Sequence, residues 1–472
     1  MQYYWMGFAP SAASLSPPDL APDELVERIW ERDPTVWTGH DEAQWLGWLD
    51  EPLRMRQRLD ELAEFAAGVA ADVDDAVLLG MGGSSLAPEV FRRAFGRDRF
   101  HVLDTTHPKA IRRLAEAVDL GRTLFVAASK SGTTLETRSH LDFFWERAGK
   151  RGNQFAAITD PGSELERLAQ ERRFRAVFSG EPTIGGRYSA LSHFGLVPAA
   201  LMGVDLARLL DRVEATLNAC RIDHDNPGLD LGLDLGRAWE DGRDKVLITP
   251  NPHGFGLWVE QLLAESTGKQ GRGLVPAPDE TADGPDRQRH EVLLDDPYDL
   301  GSEFFRWEFA TAVAGAILQI NPFDQPNVQE AKDRTSQILS GHGSVSDTGT
   351  RPEGAVEELL AQARPGDYVA IQAFVDPAEE KRLRPLVERA RETGCAVTFG
   401  LGPRYLHSTG QLHKGGAPIG CFLQVVDETG EELPIPGRKF GFGQLIRAQA
   451  AGDYAALKER GRPVARVKLE DV

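Results

Sequence analysis

The sequence predicts an α/β protein with two doubly wound parallel-sheet domains and an extra C-terminal α/β segment. Three observations carry that expectation. Between Ala76 and Thr137 apolar strands alternate with helices, and two of the strands run into polar, glycine-bearing loops. A second alternation opens at Lys245-Val-Leu-Ile-Thr249 and a third at Tyr368. A chain of 472 residues can bury two or three cores.

Residues 1–73 read as an N-terminal arm and helices. The arm, 1–22, is mixed aromatic and Pro/Ser-rich, and amphipathic helices are expected over 22–32 and 42–69. Trp30, Trp37, Trp45 and Trp48 are expected to pack those helices. Residues 74–241 form the first sheet domain with its linking helices. A strand from 76 enters the loop Gly80-Met-Gly-Gly-Ser-Ser85, then a helix over 87–95, a strand over 100–104 and a helix over 108–118. The next strand starts at Thr123 and enters Ser129-Lys-Ser-Gly-Thr-Thr134, with a helix from about 138. A strand at 154–159, a helix at 163–172 and a strand at 176–179 follow, then helices at 206–220 and 227–241. The second domain, 242–340, has strands at 245–249 and 290–294 and helices at 256–267, at 302–320 and up to 339. Residues 341–353 are hydrophilic and turn-rich, a linker. The closing segment, 354–472, carries strands at 368–375, 396–401 and 421–426 and a helix at 377–393.

Ligands of a doubly wound sheet sit beyond the carboxyl ends of its strands, where both glycine loops emerge. Glycines bring backbone N–H groups close to one point, and a following helix N-terminus adds partial positive charge. Gly83 with the hydroxyls of Ser84, Ser129, Ser131, Thr133 and Thr134, beside the single lysine Lys130, suits a phosphate monoester. A dinucleotide fingerprint fails because Ser85 stands where its third glycine belongs. A Walker loop fails because Gly268-Lys269 is followed by Gln270, with Leu263 in the first glycine position. The other reading of these loops is ordinary tight turns with helix N-caps.

The formal charge of −19 argues against nucleic acid or an anionic membrane surface as partner, so an anion must be held by local donors. Cys220, Cys395 and Cys421 are far apart and form no Cys-x-x-Cys pair, which reads as a reduced cytoplasm. The N-terminus lacks the pattern of a signal peptide, and no apolar run has the length of a membrane span.

Gly80-Met-Gly-Gly-Ser-Ser-Leu-Ala-Pro88 and Ser129-Lys-Ser-Gly-Thr-Thr-Leu-Glu-Thr137 resemble the phosphate-binding segments of the sugar-isomerase fold, as found in the glucose-6-phosphate isomerases. Gly185-Gly-Arg-Tyr-Ser-Ala-Leu-Ser192, Glu265-Ser-Thr-Gly-Lys269 and Phe323-Asp-Gln-Pro-Asn-Val-Gln-Glu-Ala-Lys332 match the same family in order. The flanks, Ile29 to Asp33 and Gly402 to Gly416, look like the isomerase half of bacterial transaldolase fusions, with no transaldolase-like barrel in this chain. The resemblance implies two sugar-isomerase domains and interconversion of glucose 6-phosphate with fructose 6-phosphate through a cis-enediol. It implies no cofactor and no metal, a sugar-phosphate substrate and a homodimer, whose need the third segment could replace. A non-catalytic sugar-phosphate-binding regulator and an isomerase that also accepts mannose 6-phosphate are the alternatives.

Moving a proton between adjacent carbons requires a base, and a cation or donor for the enediolate oxygen. Glu265, at the end of an apolar helix, reads either as that base or as a solvated helix-terminal carboxylate; the resemblance implies the base. Arg187 is either the oxyanion's fixed positive partner or an arginine paired at the surface, and the resemblance implies the former. Lys332 is a surface lysine on sequence grounds, whereas the resemblance implies a place near the ring oxygen, with Gln325 near the phosphate. The ring-opening histidine that many members of the family carry is missing from its usual motif, replaced by Leu300-Gly-Ser-Glu-Phe-Phe-Arg306; Glu303 or Ser302 falls nearest, His290 lies upstream in an expected strand, and the ring-opening acid/base is left unassigned, with Glu303 as a candidate. The fusion-type resemblance offers His407, His413 and Lys414 as alternatives. A metal on His407 and His413 does not fit the one-turn spacing of a helical ligand pair, and no acidic or thiol ligand follows before Cys421.

Overall fold

The computed structural model describes residues 21–340, 354–428 and 430–472, with 328–333 described for the backbone alone. The arm over 1–20 and the linker over 341–353 lie outside the described residues.

Five strands, β1 (Asp75–Leu79), β2 (Phe100–Leu103), β3 (Thr123–Ala128), β4 (Phe155–Thr159) and β5 (Ala176–Ser179), form a parallel sheet in the order β2-β1-β3-β4-β5. Helices cover both faces of such a sheet, so its central strands are continuous apolar runs, and β3 is buried at every residue. The winding reverses between β1 and β3. Leu79 lies opposite Ala127 in the register, and neighbouring strands are about 4.8 Å apart. The two glycine loops therefore leave the sheet side by side at its topological switch point.

Strands β6 (Lys245–Ile248), β7 (Val275–Pro276) and β8 (Arg287–His290) make a second parallel sheet, ordered β7-β6-β8. The C-terminal segment carries its own parallel sheet, β10-β9-β11-β12, from β9 (Tyr368–Phe374), β10 (Ala396–Leu401), β11 (Gly420–Val426) and β12 (Val464–Lys468). One apolar core runs from Leu25 to Phe323 and joins the N-terminal helices, one face of the first sheet and the helices of the second. On the opposite face of the first sheet, Leu433, Ile435, Phe442 and Leu445 of the C-terminal segment pack against Phe143, Phe144 and Leu141. The third sheet has a separate core around Val369, Ile371, Leu423 and Val425. No described helix is long and apolar enough to cross a membrane.

Several elements differ from expectation. The strand expected at 290–294 is Arg287–His290, because backbone pairing with β6 falls on Arg-Gln-Arg-His while apolar Leu293 stays exposed. The helix expected over 42–69 is broken into turns at Glu42–Trp45 and Gly47–Leu49 and helices at Glu51–Arg56 and Leu59–Ala70. The break has a local cause. Leu46 bridges to Ile184, and a side chain on Gly47 would meet Thr183 Oγ1 at 2.1 Å. The helix expected over 377–393 opens as a 3-10 turn, Pro377–Leu383, before Arg384–Arg391. The helix after the second loop starts at Leu135, three residues before the position read from the sequence.

Candidate active site

The first loop folds into a 3-10 turn at Gly82–Ser84 that feeds the helix Leu86–Phe95. Gly82 adopts φ +55, and a Cβ there would lie 2.6 Å from the His407 carbonyl and 2.9 Å from Gln261 Nε2. A Cβ on Gly83 would lie 2.0 Å from the Gly186 carbonyl, so this backbone is pressed directly against the segment bearing Arg187. Ser84 is buried beside it. In the second loop the Ser129 and Thr134 hydroxyls are 2.9 Å apart, as are those of Ser131 and Thr133. Ser131 and Thr133 are exposed and face solvent at the start of the helix Leu135–Arg147, whose first N–H groups have no intrahelical acceptor. The Lys130 ammonium turns elsewhere, to Asp160 Oδ1 at 2.8 Å and the Glu181 carbonyl at 2.9 Å. His407 ties the two loops together: its backbone abuts Gly82, and its Nε2 lies 2.9 Å from Glu136 Oε1, in the first turn after the second loop.

The helix Gly256–Thr267 brings Glu265 to the same place. Glu265 is 4% exposed and accepts from Gln261 Nε2, one turn earlier, at 3.0 Å. Arg187 Nη1 is 3.7 Å from Glu265 Oε2, beyond hydrogen-bond range but close enough for strong charge coupling. The guanidinium is itself locked. Nε donates to Ser266 Oγ at 2.8 Å, Nη2 to the carbonyls of Pro322 and Asp324 at 2.7 and 2.9 Å, and Nη1 to Gln325 Oε1 at 3.4 Å. Lys269 holds the same loop from below through the carbonyls of Asn321 and Asp324, at 2.7 and 2.6 Å. Burial, and then Arg187, lower the Lys269 ammonium to about 7 against the pull of Asp324. A carboxylate and a guanidinium are thus fixed side by side out of water, which is the pairing that proton abstraction with oxyanion stabilisation requires.

Gln261, Ser266 and Lys269 were not singled out from the sequence. The i, i+4 spacing of Gln261 to Glu265 and the place of Lys269 in Glu-Ser-Thr-Gly-Lys were the available signals. Gln325 reaches the site through Arg187. Lys332 lies on the helix Val328–Leu339, just after the loop that Arg187 holds; its side chain is outside the described residues. Glu303 is not brought to the site. It sits in the first turn of the helix Leu300–Leu318, about 22 Å by helical rise from the end that leads to Asn321. There it pairs with Arg306 at 2.9 Å, and burial raises its carboxyl against that arginine's pull. His413 and Lys414 are also engaged elsewhere, in the core of the C-terminal segment. His413 Nδ1 is 3.0 Å from Gln372 Nε2, and Lys414 pairs with buried Asp453 at 2.5 Å.

Comparison with known proteins starts from this geometry. A family model described as phosphoglucose isomerase matches residues 53–218. A probable glucose-6-phosphate isomerase of Haloarcula marismortui is 32% identical over 407 residues, covering 84% of each chain. The glucose-6-phosphate isomerase of Thermus thermophilus is 39% identical over 177 residues, 35% of this chain and 41% of that protein. The match to a Cyanothece relative of the same name likewise spans 40% of its length. A crystal structure of a glucose-6-phosphate isomerase from Chlamydia trachomatis aligns with a TM-score of 0.52 at 20% identity, over 72% of this chain and 81% of that one, which speaks for the fold alone. The Haloarcula match is long enough to take in both glycine loops, the Arg187 turn and the Glu265 helix, and on that breadth of likeness the chain belongs to the phosphoglucose isomerase family.

Proposed function

We propose that the chain interconverts glucose 6-phosphate and fructose 6-phosphate through a cis-enediol. The observation that carries this reading is the buried Glu265–Arg187 pair beside the glycine loops. Hydroxyls and N–H groups of Ser84, Ser129, Ser131, Thr133 and Thr134, with the Gly83 and Lys130 backbone, hold the phosphate; the Lys130 ammonium is committed to Asp160. Glu265 takes the proton from C2 of the open-chain aldose and returns it to C1. Arg187 balances the charge that gathers on the two oxygens in between. Gln261 fixes which way the Glu265 carboxylate faces. Lys332 is assigned to the ring-oxygen side of the substrate. A cyclic hemiacetal must open before C2 becomes acidic, and we assign that proton transfer to His407, whose bond to Glu136 at the rim of the loops supports the reading.

The test is direct. The purified chain in deuterated water, given fructose 6-phosphate, is expected to form glucose 6-phosphate carrying deuterium at C2, read by NMR. His407→Asn is expected to slow turnover of the cyclic substrate at least tenfold. Absence of any turnover in the unmodified chain removes the proposal, and retained turnover in the variant removes His407 from its role.

A further inference from the structure

The helix that carries Glu265 has a second polar face. Gln261 and Glu265 look toward Arg187, whereas Glu260 lies on the side that meets the C-terminal sheet. A cavity of about 260 Å³, open to solvent on one side, lies there between Leu257 and Glu260 on one wall and Gln372, Thr398 and Phe399 on the other. Glu260 is 8% exposed, and among the described residues its carboxyl has no hydrogen-bond partner. Burial, with Asp279 nearby, raises that carboxyl well above the ordinary carboxylate range. A polar group in this condition is costly to the fold unless something in the cavity answers it.

Charges of both signs border the cavity, and Arg404 pulls against the effect of burial on Glu260. Asp279 and Glu380 stand exposed at its mouth. Both bordering arginines are already committed: Arg93 to Glu89 at 2.7 Å, and Arg404 to Asp104 in two bonds of 2.6 and 2.9 Å. Among the described residues that line it, the carboxyls of Glu260 and Glu380 are left for a ligand, while Asp279 Oδ1 already accepts from Asn251 Nδ2 at 3.2 Å. Gln372 is held by His413, whose Nδ1 takes its amide nitrogen at 3.0 Å, and Thr398 brings a hydroxyl to the same wall. The volume is just under the roughly 300 Å³ at which drug-sized pockets begin, so the space takes a molecule of metabolite size.

We propose that this cavity is a second binding site, separate from the catalytic one, for a small protonated amine bearing hydroxyl groups, of the amino-sugar class. The ammonium meets Glu260, and the hydroxyls meet Thr398. Glu260 and Glu380 disfavour a phosphate or carboxylate there. The site is independent of the proposed isomerisation.

Calorimetric titration of the full chain with glucosamine, under conditions where the amine is protonated, tests the assignment. Glucosamine is expected to bind at least tenfold more tightly than glucose, its uncharged counterpart. Saturating 6-phosphogluconate, which addresses the catalytic pocket, is expected to leave that binding unchanged. Glu260→Gln removes the ionisable carboxyl at nearly constant volume, and Leu257→Trp fills the cavity without touching an ionisable group; each is expected to weaken glucosamine at least tenfold in a chain that still melts cooperatively. No detectable binding, equal affinity for the two sugars, displacement by 6-phosphogluconate, or binding indifferent to both variants overturns the proposal.

Discussion

Replacing Glu265 by Gln isolates the charge from the shape. The amide oxygen of the substituted side chain can still accept from Gln261, so the group stays where the carboxylate was. What disappears is the attraction across 3.7 Å to Arg187, about 4.5 kcal/mol at an effective dielectric near 20. Arg187 keeps Ser266, two carbonyls and Gln325, so the folded state loses only about 1–3 kcal/mol. Turnover responds far more strongly, because an amide cannot take a proton from carbon. A positioned acid/base contributes about 10²–10⁴ in rate, or roughly 3–5.5 kcal/mol of barrier at 1.36 kcal/mol per tenfold. The assay couples glucose 6-phosphate formation to NADP reduction and is run against fructose 6-phosphate concentration. The expected result is a kcat lower by at least a hundredfold with KM within a few-fold. A kcat above one tenth of the parent's, or a loss confined to KM, refutes the role of Glu265.

Three further outcomes are expected. Gly83→Ala places a methyl 2.0 Å from the Gly186 carbonyl, backbone against backbone, and should cost about 1–3 kcal/mol in denaturant unfolding together with a tenfold or larger drop in kcat/KM. Burial holds His140 at about 4 against its ordinary 6.5, so between those values the unfolded chain binds a proton that the folded chain does not. His140 should therefore take up to about 3.4 kcal/mol from stability as pH drops from 6.5 through 4, and urea midpoints across that range should fall less steeply in His140→Leu, with buried His290, also held at about 4, supplying part of the remaining slope. Lys414→Met leaves the buried Asp453 carboxylate its bond from the Tyr405 hydroxyl but no cation, and should cost about 3–5 kcal/mol; the double variant with Asp453→Leu recovers only part of that loss in the same unfolding experiment, because Tyr405 then lacks its acceptor.

The parts of the fold that the sequence announced are those where local chemistry and tertiary packing agree. β10 and the helix Gly256–Thr267 were placed to the residue, since each is an apolar run with a clear boundary. The strand β8 was misplaced because its residues are polar and its identity comes from pairing with β6, which no local pattern encodes. The helix His193–Leu201 went unrecognised since Gly195 and Pro198 interrupt it, although burial among apolar neighbours sustains it. In the site, Glu265 and Arg187 were legible through their motifs. Their supports were not: Gln261 and Ser266 act by orientation, and nothing in composition distinguishes an orienting amide from a surface one. Lys130 looked like a phosphate cation because a lysine between serines carries no trace of Asp160, 30 residues away, which claims it. Glu303 failed for a related reason, since proximity to a motif along the chain says nothing about which end of a long helix faces the substrate.

His407 reaches Gly82 from the C-terminal segment, which is clamped to the first sheet domain by Arg404 on Asp104 and by Arg113 on Asp376. A group carried this way is leashed to its own pocket, so in the role proposed for His407 its local concentration is set by the tether and not by how much protein is in the tube. A histidine borrowed from a second copy would be lost on dilution as the copies part; one that travels with the chain would still be in place in a single molecule.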